Sequence, residues 1–179
     1  MQQIIAGTGH RWTNKDNYSE DDMINFMKFL KISLKKHYFS RDGNPLPDEF
    51  IVGGALGFDM ALAQFALESG VPYTLVAPGD WFGKNWSYTF KNVLEHHAEG
   101  AKEVILVDQQ EKYKYLLPKG SHATKMQWRN EWMVDNATGV LAYWNGYKNG
   151  GTYNTIKYLE KNDNKTFTNL WSSYPHEVL

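Results

Sequence analysis

The chain has 179 residues, 42% of them hydrophobic, with 19 basic against 20 acidic side chains and a formal net charge of −1. That length suits one domain with a substantial core, and the charge balance argues against a general pull toward nucleic acid or anionic membranes. Cysteine is absent, which excludes structural disulfides and thiolate metal sites and fits a reducing compartment. No apolar run is long enough to span a bilayer, and residues 1–20 do not read as a signal peptide. The expectation is a soluble, cytoplasmic protein with no membrane partner.

In chain order, residues 2–7 form a short apolar run stopped by glycine, hence a first strand. Residues 19–39 have helical spacing, with Ser19 as cap and Asp22 where a capping-box acid sits. A turn-rich connection, 41–49, leads to a second strand at 50–54. A helix over 57–70 ends at Gly70, a natural C-cap. Strands follow at 71–78, 102–108, 139–144 and 165–171, and helices at 86–99, 123–137 and 152–162. The polar stretch 109–122 reads as a mobile flap or functional loop.

Strand and helix alternate about six times, which predicts an α/β fold: one Rossmann-like, three-layer domain with a mostly parallel sheet and helices on both faces. In such sheets ligands bind beyond the carboxyl ends of the strands, near a topological switch point. The loops 7–18, 53–58, 78–86, 108–122 and 145–152 are then the places to look.

Four motifs fall in or beside those loops. "AGTGHRW" (6–12) ends the first strand in Gly7-Thr8-Gly9, followed by His10 and Arg11. The glycines clear the backbone for an anion, and the planar guanidinium suits bidentate contact with phosphate. The spacing is that of a dinucleotide fingerprint without its third glycine. "GGALGFD" (53–59) opens a helix whose first turn favours an anion; Asp59 there either caps the helix or accepts from a sugar hydroxyl. "MQWRNEWMVD" (126–135) sets Gln127, Arg129 and Asn130 in one polar cluster, with Met126, Trp132 and Met133 toward the core. "NGGTYNT" (149–155) places Gly150 and Gly151 before Thr152, which would cap the helix and complete a second phosphate cradle.

Other chemistry finds no support. His96 and His97 are adjacent and point to different helix faces, with no carboxylate at zinc-ligand spacing, so no metal site is expected. No cofactor is called for, and there is neither a GxxxxGK[ST] phosphate loop nor a GxSxG elbow.

The blocks "TGHRW", "GGALGFDMALAQFAL", "VAPGDWFGKNW", "MQWRNEWMVDNATGVLAYWNG" and "NGGTYNTIKYLE" resemble, in order and spacing, the YpsA-like proteins of the SLOG superfamily of Rossmann-like nucleotide-binding domains, found in bacteria and phages. The resemblance covers residues 4–162. It implies a nucleotide or nucleotide-derived ligand, facing Thr8, Gly9, His10 and Arg11; Gly54, Gly57 and Asp59; Arg129 and Asn130; and Gly150, Gly151 and Thr152. Wider relatives include LOG-type phosphoribohydrolases, which cut the N-glycosidic bond of nucleoside monophosphates, and DNA-processing proteins. The hydrolases carry a "PGGxGTxxE" motif, and aligning its Gly-Thr with Gly151-Thr152 places Thr155 where their glutamate stands.

Three readings follow. The first is a binding protein for an ADP-ribose- or NAD-related nucleotide, acting by sensing or sequestration, with Arg11 and Arg129 neutralising phosphate. The second is an N-glycosidase acting on a nucleotide, with Asp59 or Asp135 as the catalytic acid. The third, a nucleic-acid-processing accessory, is disfavoured by the net charge. Trp81, Trp86 and Tyr113 either stack on a base or pack in the core. Relatives of this fold self-associate, so a homodimer or higher homo-oligomer is expected.

Overall fold

A computed structural model describes residues 1–11, 19–116, 121–162 and 164–171. Six strands form one parallel sheet: β1 (Ile4–Gly9), β2 (Glu49–Val52), β3 (Tyr73–Ala77), β4 (Glu103–Leu106), β5 (Gly139–Tyr143) and β6 (Thr166–Asn169). They lie in the order β4-β3-β2-β1-β5-β6. The helices are α1 (Glu20–Phe39), α2 (Phe58–Ser69), α3 (Tyr88–Gly100), α4 (Glu111–Lys114), α5 (His122–Asp135) and α6 (Gly150–Leu159).

The two-residue period of the strands divides the core into two halves. Ile5, Phe50, Val52, Leu75, Leu141 and Tyr143 face one side and pack with the buried stripes of α1 and α2. Ala6, Ile51, Val76, Ile105 and Val140 face the other, against Trp128, Met133 and Val134 of α5 and Leu159 of α6. The strands are therefore near-continuous apolar runs, as a sheet covered on both faces requires. Gly7 and Gly9 let α2 come down onto β1: a Cβ on Gly9 would lie 2.5 Å from that of Phe58. Phe58 is fully buried, a burial that contributes about 1.5–3 kcal/mol.

The α1 helix starts with the expected capping box. Ser19 Oγ accepts from the Asp22 N–H at 3.1 Å, and Asp22 Oδ2 accepts from the Ser19 N–H at 2.9 Å. The α6 helix begins earlier than expected. Asn149 is its N-cap and accepts from the Gly150 N–H at 2.8 Å, so Gly150 and Gly151 form the first turn and Thr152 does not cap. The polar stretch after β4 is also more ordered than expected. It turns through residues 107–109 into α4, anchored by Tyr113, which is buried and stacks on Trp128 with centroids 5.3 Å apart. Residues 117–120 lie outside the described part, as do 12–18 of the first expected ligand loop.

From β1 the chain builds outward through β2 and β3 to β4, then returns beneath the sheet by α5 to place β5 beside β1. The switch point therefore lies between β1 and β5.

Candidate functional site

A cleft of about 1030 Å³ opens at that switch point. One wall is the end of β1, with Thr8, Gly9, His10 and Arg11; α5 supplies Gln127, Arg129, Asn130 and Glu131; the far wall is the start and one face of α6. His10 ties the two switch-point loops together. Its Nε2 lies 2.9 Å from Asn145 Oδ1 and 3.1 Å from the Asn145 backbone nitrogen. Burial holds the His10 imidazole below its ordinary pKa, partly opposed by the Asn145 contact, so the ring is neutral at physiological pH.

The floor is an ion pair. Arg129 and Asp59 are 4% and 7% exposed, with Nη1 standing 4.0 Å from Oδ2. Arg129 Nη1 also donates to the Gly53 carbonyl, Nε donates to Asn130 Oδ1 at 3.0 Å, and the guanidinium lies 5.7 Å over the Phe82 ring. Asp59 Oδ2 accepts from the Ala55 N–H at 3.2 Å. Burial pushes the Asp59 carboxyl up, and the charge of Arg129 pulls it back. Asp59 thus folds the 53–55 turn and meets Arg129 rather than capping α2, whose N-cap is Gly57 without a side-chain bond.

The two glycine junctions differ in what fills them. At the first, the protein's own backbone does. Gly57 has φ +90°, and a Cβ there would lie 2.7 Å from His10 O and 2.9 Å from Arg11 Cα. Two amides in the first turn of α2 are taken: Phe58 N–H by His10 O at 3.4 Å and Met60 N–H by Ala55 O at 3.2 Å. A Cβ on Gly53 would strike Arg129 and Asp59, and one on Gly54 would lie 3.1 Å from Leu94. Gly54 and Gly57, expected to face ligand, are therefore outside the cleft lining and serve the fold. At the second junction the space is open. A Cβ on Gly150 would meet nothing within 4 Å, and one on Gly151 only Asn130 Nδ2 at 3.8 Å. Gly150, Gly151 and Thr152 line the cleft, and among the described residues Gly151 and Thr152 N–H have no acceptor outside the helix. A helix start of this kind attracts an anion.

Asp135 sits elsewhere. It ends α5 outside the cleft lining, bonded to Lys112 Nζ at 3.1 Å and to the Tyr158 hydroxyl at 2.9 Å. Thr155 is buried and donates its hydroxyl back to Gly151 O at 2.9 Å. Trp81 stacks on His122 with centroids 3.7 Å apart, Trp86 packs on Phe82, and neither lines the cleft, nor does Tyr113. Trp132 packs partly buried against the α5 side of the core, whereas Met126 and Met133 reach the cleft as well.

The sequence reading missed the α6 face. Asn154, Lys157 and Tyr158 of α6, and Lys161 in the turn just after it, line the cleft, and their i, i+3, i+4, i+7 spacing was the available signal. Charged groups in the lining are Arg11, Arg129, Lys157 and Lys161 against Asp59 and Glu131, so the cleft is locally cationic although the chain is not. Among the described residues no helix is long and apolar enough to cross a membrane.

A parallel sheet wound both ways around a cationic cleft at its switch point defines a Rossmann-like α/β protein. No family model matches the sequence. A curated relative, an uncharacterized SPbeta prophage-derived protein, YoqJ, of Bacillus subtilis (strain 168), is 34% identical over 119 residues, covering 63% of this chain and 69% of that protein. The chain belongs to the YoqJ family. Among solved structures, DNA processing protein A from Helicobacter pylori, described for its single-stranded DNA binding mode, aligns with TM-score 0.55 and 14% identity over 92% of this chain. The Streptococcus pneumoniae protein aligns with TM-score 0.52 and 16% identity over 93%. The chain spans 64% and 50% of the lengths of those two structures, and the likeness is one of fold.

Proposed function

We propose that the cleft binds a nucleotide or nucleotide-derived ligand of the ADP-ribose or NAD type, for sensing or sequestration, and that the chain is a YpsA-like member of the SLOG superfamily. One observation carries this: among the described residues the Gly151 and Thr152 N–H groups in the first turn of α6 have no acceptor outside the helix, and both residues line a cleft that also holds Arg11. The phosphate sits on that turn, with Asn130 across from it. Arg129, committed to Gly53 and Asp59, shapes the floor and adds field rather than a free fork. Calorimetry with ADP-ribose, NAD, AMP and cyclic dinucleotides tests the reading. Micromolar binding of one of them is expected, and failure of all of them with folded protein would sink it. The prophage relative suits a bacterial or phage cytoplasmic setting, and the same samples examined by light scattering report whether the protein is a homo-oligomer.

A second reading, nucleic-acid processing, gains from the cationic cleft and from the fold shared with DNA processing protein A. The near-zero net charge of the chain counts for less once the charge is seen to be unevenly placed. Salt-dependent binding of single-stranded DNA would favour it. The N-glycosidase reading is weaker. Thr155 stands where the hydrolase glutamate would, Asp135 lies outside the cleft, and Asp59 is held by Arg129. Release of free base from nucleoside monophosphates or NAD would restore it.

A further inference from the structure

Along α6 and the turn that follows it, Gly151, Asn154, Lys157, Tyr158 and Lys161 line the cleft. At 1.5 Å per residue, the Cα of Lys157 stands roughly 9 Å along the axis from that of Gly151, and Lys161 follows in the turn beyond Leu159. Both lysines are exposed, and among the described residues neither has a carboxylate within ion-pair distance. Lys157 Nζ rests 5.6 Å over the Tyr153 ring. Among the described residues, the carboxylates lining the cleft are Asp59 and Glu131, and Glu131 accepts from Gln127 Nε2 at 3.1 Å.

We propose that Lys157 and Lys161 form a second anion subsite, and that the ligand is a nucleotide with phosphate groups on both sides of one nucleoside. This rests on the nucleotide reading above and extends it. A pyrophosphate spans less of that wall than two phosphates set on either side of a ribose. Phosphates on the 5′ and 3′ oxygens of one ribose are held apart by the sugar, leaving Asn154 between them to contact it. A free bisphosphate nucleotide and a segment of a single strand share this chemistry.

The test compares AMP, ADP and adenosine 3′,5′-bisphosphate by calorimetry on the wild-type chain and on the K157Q/K161Q variant. The 3′-phosphate is expected to improve affinity over AMP about tenfold, and the variant should lose that gain while AMP and ADP bind as before. A gain that is absent, or that survives in the variant, overturns the proposal. So does a variant that weakens AMP as much as the bisphosphate, which would make the lysines a general field. If no nucleotide binds the wild-type chain, the nucleotide reading fails and this inference with it. A 5′-phosphorylated pentadeoxyadenylate separates the two sources. Tighter binding than the bisphosphate, lost in the variant, marks a strand, and equal binding marks a free nucleotide.

Discussion

Arg129, on α5, donates to the Gly53 carbonyl at the end of β2 and faces Asp59, on α2, at 4.0 Å. One buried guanidinium thereby joins the two helical layers through the sheet edge and forms the floor of the cleft. Removing either charge strands the other away from water.

Arg129→Met is accordingly expected to cost about 3–5 kcal/mol, and Asp59→Asn less, because burial already favours a neutral group at that position. The double variant should be more stable than the sum of the two losses predicts, with a coupling of about 0.5–3 kcal/mol. Urea denaturation of the four proteins measures it. Burial holds the Asp59 proton more tightly in the folded chain than in the unfolded one, so its contribution falls as pH rises through and above the ordinary carboxylate range. Loss of Arg129 should steepen that fall.

The glycines give opposite outcomes. Gly57→Ala puts a Cβ against the His10 and Arg11 backbone at φ +90°, and should destabilise by about 2 kcal/mol or more. Gly151→Ala adds a methyl in open space within a helix, which should leave stability unchanged or raised by about 0.5–1 kcal/mol. The same methyl crowds the amides offered to phosphate, so nucleotide affinity should fall. Thermal melts with parallel calorimetry separate the two effects, and unchanged affinity in Gly151→Ala would count against the cradle.

His97 carries a pH dependence far from the cleft. Burial, helped by the neighbouring His96, lowers its pKa to about 4, and among the described residues its Nδ1 has no hydrogen-bond partner. The unfolded chain takes up this proton near pH 6.5 and the folded chain only near 4. Stability is therefore full above 6.5 and declines as pH falls through that window, by about 3 kcal/mol at most. His97→Gln should flatten the slope of unfolding free energy between pH 4 and 6.5. An unchanged slope would assign it to other groups.

Ser19→Ala removes one arm of the α1 capping box and should cost about 1 kcal/mol, read as a lowered melting temperature. The Asp22 carboxylate keeps its bond to the Ser19 backbone N–H, so Asp22→Ala in the same background should cost further.

The alternation of strand and helix, and with it the α/β class, follows from local periodicity, because a two-residue or 3.6-residue repeat needs no knowledge of what lies across the sheet. The same holds for Ser19 as a cap and Gly70 as a helix stop, since capping partners lie within one turn. What the glycine stretches do is a different matter. "GGALGFD" and "NGGTYNT" read alike as phosphate cradles, yet only the tertiary structure lays the 10–11 backbone over Gly57 and leaves Gly151 open. Asp59 had equal standing as a cap and as a sugar ligand until folding set Arg129, seventy residues away in sequence, beside it. Trp81, Trp86 and Tyr113 went to packing and Lys157 and Lys161 to the cleft, because which face a helix or loop turns inward depends on the layer against which it docks.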